Sequence, residues 1–150
     1  MIRFPVTILC AAVLTACGDS SLPEVAGDNP ICMLFNAAEL SSYVGNSLLD
    51  GKNASTGLGC QWLTKDNNGD VMIVVVPQTL HEAPTQVEGY AALPDIGTQG
   101  FTAPFVDGWS AAAIVGDESI RVSVAGKVAS AASAELLLRD TIKRRGNSAP

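Results

Sequence analysis

Six consecutive apolar residues, Val71-Met72-Ile73-Val74-Val75-Val76, place the tightest constraint on how this chain can fold. Side chains branched at Cβ are stiff and suit a pleated surface. Asn68-Gly69-Asp70 supplies turn chemistry before the run, and Pro77 ends the ladder after it. The run therefore reads as a strand. Because polar residues do not alternate within it, the expected position is central in a sheet, covered on both faces. Pro77 also limits its tendency to aggregate.

The surrounding residues extend this into a fold. Gly59-Cys60-Gln61-Trp62-Leu63-Thr64 reads as a strand, joined to the apolar run as a hairpin through Asn68-Gly69. Three further strands are expected at 100–105, 109–115 and 119–124, separated by Asp107-Gly108 and Gly116-Asp117. Upstream, Asn36 can cap a short helix with Glu39 reaching back, Phe35 and Leu40 can staple its first turn, and Gly45 can close it. A second helix is expected over 130–145, with Ser130 as cap and Gly146 as stop. Its stripe is Ala131, Ala134, Leu138 and Ile142, widened by Leu137. Glu135 and Arg139 stand four apart on the solvent side. The segment 78–94 is hard to read, with one or two helical turns expected around Pro84. The order predicts an α+β fold: an antiparallel sheet of about five strands, hairpin plus three-stranded meander, covered by the N- and C-terminal helices.

The N-terminus bears on location. Arg3 precedes an uncharged apolar run, Phe4 to Val13, and then comes Leu14-Thr15-Ala16-Cys17-Gly18. The run is about a dozen residues, short of the ~20 needed to span a bilayer. Leu14-Thr15-Ala16-Cys17 resembles the lipobox of bacterial lipoproteins, which implies cleavage before Cys17 and acylation of its thiol. The expected organisation is a signal segment over 1–16, a flexible tether over 17–30 rich in Pro and Gly, a single domain over 31–146, and a disordered tail over 147–150. Gly18 rather than aspartate after the cysteine favours the outer membrane in a host with two membranes.

Charge and cysteines narrow this further. The chain holds 15 acidic and 9 basic residues, for a net charge of −6. Loss of Arg3 with the signal makes the domain more acidic still, so neither nucleic acid nor an anionic lipid surface is an electrostatic partner. Attachment to the bilayer then rests on the acyl chains at Cys17. Cys10 leaves with the signal, so Cys32 and Cys60 remain. In an exported domain an even remainder reads as a disulfide. The alternative is two buried free thiols. A zinc site is poorly served by two distant cysteines and a single histidine.

Asn29-Pro30-Ile31-Cys32-Met33-Leu34-Phe35-Asn36-Ala37-Ala38-Glu39-Leu40, a glycine closing the helix, and Gly59-Cys60-Gln61-Trp62 resemble a family of uncharacterised bacterial lipoproteins first defined largely in actinobacteria. Its members open with a Pro-Cys-x-Leu-Leu-Thr-x-x-Glu type of motif and carry a later Cys-x-Trp. Pro94-Asp95-Ile96-Gly97 matches a glycine-centred segment before the last strands. The chain departs from the pattern where Ile31 separates Pro30 from Cys32 and where Phe35-Asn36 replaces Leu-Thr. The resemblance implies the fold and the cysteine pairing but no activity. Similar envelope lipoproteins imply a PsbP-like α/β sandwich.

Candidates for chemistry are few. His81, the single histidine, sits beside Glu82 with no motif announcing a partner, and reads as a solvated loop residue. Gly57-Leu58-Gly59 lacks the strand–turn–helix setting of a dinucleotide loop. Asp66, Asn68 and Asp70 superficially resemble a calcium loop, but the closing glutamate is missing and the glycine misplaced, so a hairpin turn is the reading. Trp62 is expected in the core. Trp109, beside a turn, is read equally as core or as an interaction surface for an envelope protein or small apolar ligand. No cofactor is indicated. The functional expectation is a membrane-anchored envelope lipoprotein serving as a non-enzymatic binding module, and the alternative is an envelope hydrolase with an unrecognised site.

Overall fold

The computed structural model of the protein describes residues 29–54 and 57–147. The expected signal segment, Cys17, nearly all of the tether and the last three residues lie outside the described residues. The fold is α+β. Seven strands form one antiparallel sheet: β1 (Lys52–Ala54), β2 (Gly59–Leu63), β3 (Asp70–Pro77), β4 (Ala91–Ala92), β5 (Thr98–Phe105), β6 (Gly108–Val115) and β7 (Glu118–Ala125). Their spatial order is β1-β2-β3-β7-β6-β5-β4. The hairpin and the meander are both present, and β3 joins them by pairing with β7 from Asp70↔Ala125 to Pro77↔Glu118.

Two expectations are corrected here. The sheet has seven strands rather than five, because β1 and β4 are ladder extensions only three and two residues long. Lys52-Asn53-Ala54 and Ala91-Ala92 carry no readable strand pattern, and they are held by the edges of β2 and β5. The apolar strand β3 lies between β2 and β7, but only one of its faces is fully covered. Val71, Ile73 and Val75 are buried, while Met72, Val74 and Val76 are half-buried.

The covered face carries both helices. α1 (Ala37–Val44) starts as its residues dictate: Asn36 Oδ1 accepts the Glu39 amide at 2.9 Å, and Glu39 Oε2 accepts the Asn36 amide at 2.9 Å. Gly45 ends it in the left-handed region, at φ 72°. α2 (Ala131–Asn147) begins at Ser130, whose Oγ accepts the Ser133 amide at 3.1 Å. It continues through Gly146, the expected stop, and takes in Asn147, so that glycine lies inside the last turn. Leu40, Val44, Ala134, Leu137 and Leu138 pack on Trp62, Val71, Ile73, Ile120, Val122 and Val124 to form the main core.

Polar links fasten this layer. The Tyr43 hydroxyl donates to Asp140 between the two helices. Arg144 lies over the Phe35 ring at 4.0 Å and donates to Glu39 and to the Leu34 carbonyl. Arg139 pairs with Glu135 at 2.8 Å, as the spacing predicts, and with Asp95. The disulfide Cys32–Cys60, with Cα atoms 5.1 Å apart, ties the segment before α1 to β2. Beside it the backbone of Gly51 runs so close that a Cβ there would meet Trp62 Nε1 at 2.6 Å and Cys60 Sγ at 2.7 Å.

The segment 78–90 forms a 3-10 turn at Gln78–Leu80 and then irregular chain, not helical turns around Pro84. Pro77 and Pro84 remove amide donors a helix would use. The segment closes isolated short turns, such as Val87 N–H to the Pro84 carbonyl, while the Gln78 amide donates to Asp117 and the Glu82 carbonyl accepts from Arg121. This segment crosses the second face at one side, where Tyr90 stacks on Phe101 at 5.8 Å with Ala83, Ala103 and Ala112 beneath.

Candidate functional site

Among the described residues, that segment is what covers the second face of the sheet. Side chains on a strand alternate between faces, so β7 sends Ile120, Val122 and Val124 to the helices and Ser119, Arg121 and Ser123 to the other side. Next to them across the sheet stand Met72, Val74 and Val76 from β3 and Ser110 and Ala112 from β6. The small residues of this floor leave two hollows, with Phe105 on the border of both.

The first hollow, about 420 Å³, lies at the end of the sheet between the β2–β3 and β5–β6 turns. Glycines shape it. A Cβ on Gly69 would meet the Ala125 carbonyl oxygen at 2.2 Å, and one on Gly108 would meet that of Val124 at 2.0 Å. The residue just before β3 and the first residue of β6 must therefore lack side chains there, which opens the cleft above Ala125. Its walls are Leu63, Gln61, Asp70, Phe105 and Val106. Leu63 is 38 %, Phe105 42 % and Val106 83 % exposed, so the rim is apolar and wet. Val106 is the first residue of a two-residue turn and has φ 46°, a conformation that a β-branched side chain rarely adopts. Gln61 Nε2 donates to Asp70 at 2.7 Å on one wall.

The second hollow, about 330 Å³, lies under the crossing segment, between Pro84, Val87, Phe101, Phe105 and Arg121. Arg121 Nη2 donates to the Glu82 carbonyl at 2.9 Å, and its guanidinium carbon is 6.0 Å from the centre of the Phe101 ring.

His81 is no solvated loop residue. It is half-buried, edge-on to Phe101, with Nε2 3.2 Å from the Gln99 carbonyl and Nδ1 2.8 Å from Ser119 Oγ. A carbonyl can only accept, so Nε2 carries the proton and neutral Nδ1 accepts from the serine hydroxyl. Burial, with the nearby Arg121 charge, holds its pKa below the ordinary histidine value, consistent with that neutral form. Ser119 is only 1 % exposed, and its contact with His81 pins the segment to the sheet.

The remaining sequence candidates are placed as follows. Cys32 and Cys60 are bonded, and Trp62 is in the core. Trp109 is half-buried and packs against the main core on the helix-covered face, opposite Pro104. The exposed apolar residues near it are Phe105 and Val106, four and three positions earlier in the same hairpin. Asp66 faces Asn46 and the Asn68 amide while Asp70 faces Gln61, and among the described residues no group of three potential ligands could hold a metal. Arg121 was not singled out by sequence reasoning. Its signal lay in Ser119-Ile120-Arg121-Val122-Ser123-Val124, an alternation that puts one arginine on the polar face of a central strand.

Comparison with protein-family models, curated proteins and solved structures returns no match. Among the described residues no helix is long and apolar enough to cross a membrane.

Proposed function

We propose that this protein is a bacterial envelope lipoprotein, held to a membrane by acyl chains on Cys17, whose domain is a non-enzymatic binding module working through the uncovered face of its sheet. The observation that carries the binding reading is the cleft between Leu63, Phe105 and Val106. Exposed apolar residues rim it, one of them in a costly backbone conformation, and such strain is retained where a surface has a use. Export is supported by the Cys32–Cys60 disulfide, since such bonds persist in oxidising compartments. The lipobox-like Leu14-Thr15-Ala16-Cys17 and the resemblance to uncharacterised lipoproteins point the same way.

One experiment addresses both halves. The full chain is produced in a two-membrane bacterium, and its membranes are separated by density. Wild type should carry the diacylglyceryl mass and travel with the outer membrane, whereas Cys17→Ser should remain an unprocessed precursor. A lipidated mature form from Cys17→Ser would sink the anchor. Cross-linking in the same cells compares wild type with the double variant Leu63→Asp, Val106→Asp. Identical adducts from both would remove the cleft as the binding surface.

A further inference from the structure

Four arginines are described, and three of them have carboxylate partners: Arg139 with Asp95 and Glu135, Arg144 with Glu39, and Arg145 with Glu118. Arg121 has none among the described residues. It stands in the middle of a central strand, half-buried, with a single hydrogen bond to a main-chain carbonyl. A guanidinium carries five N–H donors in a planar fork, so most of its capacity faces the hollow beside it. Its remaining N–H groups can donate to an anionic acceptor, and a hydrogen bond between charged groups is stronger than one between neutral groups. Around it stand Phe101, Phe105, Pro84 and Val87 as walls, buried Ser110 in the floor, and exposed Glu82 as the one acidic residue of the lining.

We infer that this hollow binds a small amphipathic monocarboxylate, its head on the free edge of Arg121 and its apolar body across Phe105 toward the neighbouring cleft. The fork of an arginine matches the two oxygens of a carboxylate. With Glu82 also in the lining, a monoanion adds less negative charge beside Arg121 than a phosphate dianion would, in a protein of net charge −6. The volume of about 330 Å³, with Phe105 shared as a wall with the cleft of about 420 Å³, lies within the range of small-molecule sites. Small side chains floor both hollows, Ser110 under this one and Ser123 under the neighbouring cleft. The inference rests on reading the uncovered face as a binding surface, and it adds the chemistry of the ligand.

The test uses the full lipidated protein in lipid nanodiscs, with empty nanodiscs as blanks. Hexanoate, hexanol, hexylammonium and hexyl phosphate are titrated by ligand-observed NMR. Hexanoate should bind saturably, roughly tenfold or more tighter than hexanol, as a charge-assisted hydrogen bond requires. Hexylammonium should not compete. Arg121→Gln should reduce hexanoate to the level of hexanol and leave hexanol unchanged. Equal binding of hexanoate and hexanol by wild type overturns the carboxylate assignment but leaves an apolar site on this face, and that comparison needs no variant to fold. Tighter binding of hexyl phosphate overturns the monocarboxylate class. Binding by none of the probes overturns the inference entirely, while the cross-linking comparison still decides whether the face binds anything.

Discussion

The two faces of β7 share one backbone and differ in everything else. On one, Ile120, Val122 and Val124 lie under two helices and are at most 2 % exposed. On the other, Ser119, Arg121 and Ser123 line a floor of small or polar groups beside half-buried Met72, Val74 and Val76. Each large side chain fully buried on the first face contributes about 1.5–3 kcal/mol. The second face contributes little beyond its backbone ladder and the small Phe101 cluster. A strand with period two can thus keep stability and recognition on opposite sides, so that changes to one barely disturb the other.

The sharpest way to break that comparison is to truncate one aromatic on each side. Trp62→Ala, at 1 % exposure and against the disulfide, should lower unfolding free energy by about 3–5 kcal/mol. Phe105→Ala, at 42 % exposure, should cost less than about 1 kcal/mol. Urea denaturation of both measures the difference. Equal losses would mean that the uncovered face is also structural. Next comes the disulfide, which belongs wholly to the covered side. Cys32→Ser or Cys60→Ser opens a loop of 28 residues and should cost about 3–4 kcal/mol, with the double replacement costing hardly more. Two reactive thiols in the denatured, unreduced protein would show that the bond does not form.

The covered face was largely legible from residues alone. The capping box at Asn36 and Glu39, the Gly45 stop, the Leu137–Leu138 stripe and the β2–β3 hairpin all follow from local chemistry that tertiary context did not override. What escaped was set at long range. Lys52–Ala54 and Ala91–Ala92 are strands because a neighbouring ladder accepts them. The crossing segment takes its path from contacts with Ser119, Gln99 and Arg121 that lie 18 to 39 residues away. The apolar run of β3 carries no polar residue to mark which of its sides lacks helices. The cleft was harder still, since it is built by the absence of side chains at Gly69 and Gly108. Trp109 draws attention in the sequence, whereas the exposed apolar surface belongs to Phe105 and Val106 beside it.

A pH titration sharpens the picture of the helix layer. Burial, and then the hydrogen bond to Asp140, push the Tyr43 hydroxyl up to about 12. A tyrosine in the unfolded chain ionises near 10, so the folded state holds the proton longer. The stabilisation is present in full below about pH 10 and fades as pH rises toward about 12. Ultraviolet titration should show one late-ionising tyrosine, and Tyr43→Phe should remove both that step and the associated loss of stability. Ionisation of Tyr43 near the ordinary tyrosine value would mean that the link between α1 and α2 is open in solution.

The smallest effect, and the one that ties strain to use, is expected at Val106. Its φ of 46° places it where hairpins favour glycine, at the first position of a two-residue turn, with the side chain 83 % exposed. A left-handed conformation costs an L-residue about 1–2 kcal/mol. Glycine removes that strain but adds freedom to the unfolded chain, a loss of about 0.5–1 kcal/mol. Val106→Gly should therefore be neutral to stabilising, by up to about 1 kcal/mol, in the same urea experiment. Burial is no obstacle, since so exposed a side chain has little packing to lose. If the cleft rim has a binding role, the same variant should lose cross-linked adducts while the fold gains or holds stability. A substitution that improves the turn and weakens binding separates the two faces most directly. Val106→Gly that is clearly destabilising would instead make the valine a structural member of the hairpin and take the strain argument away.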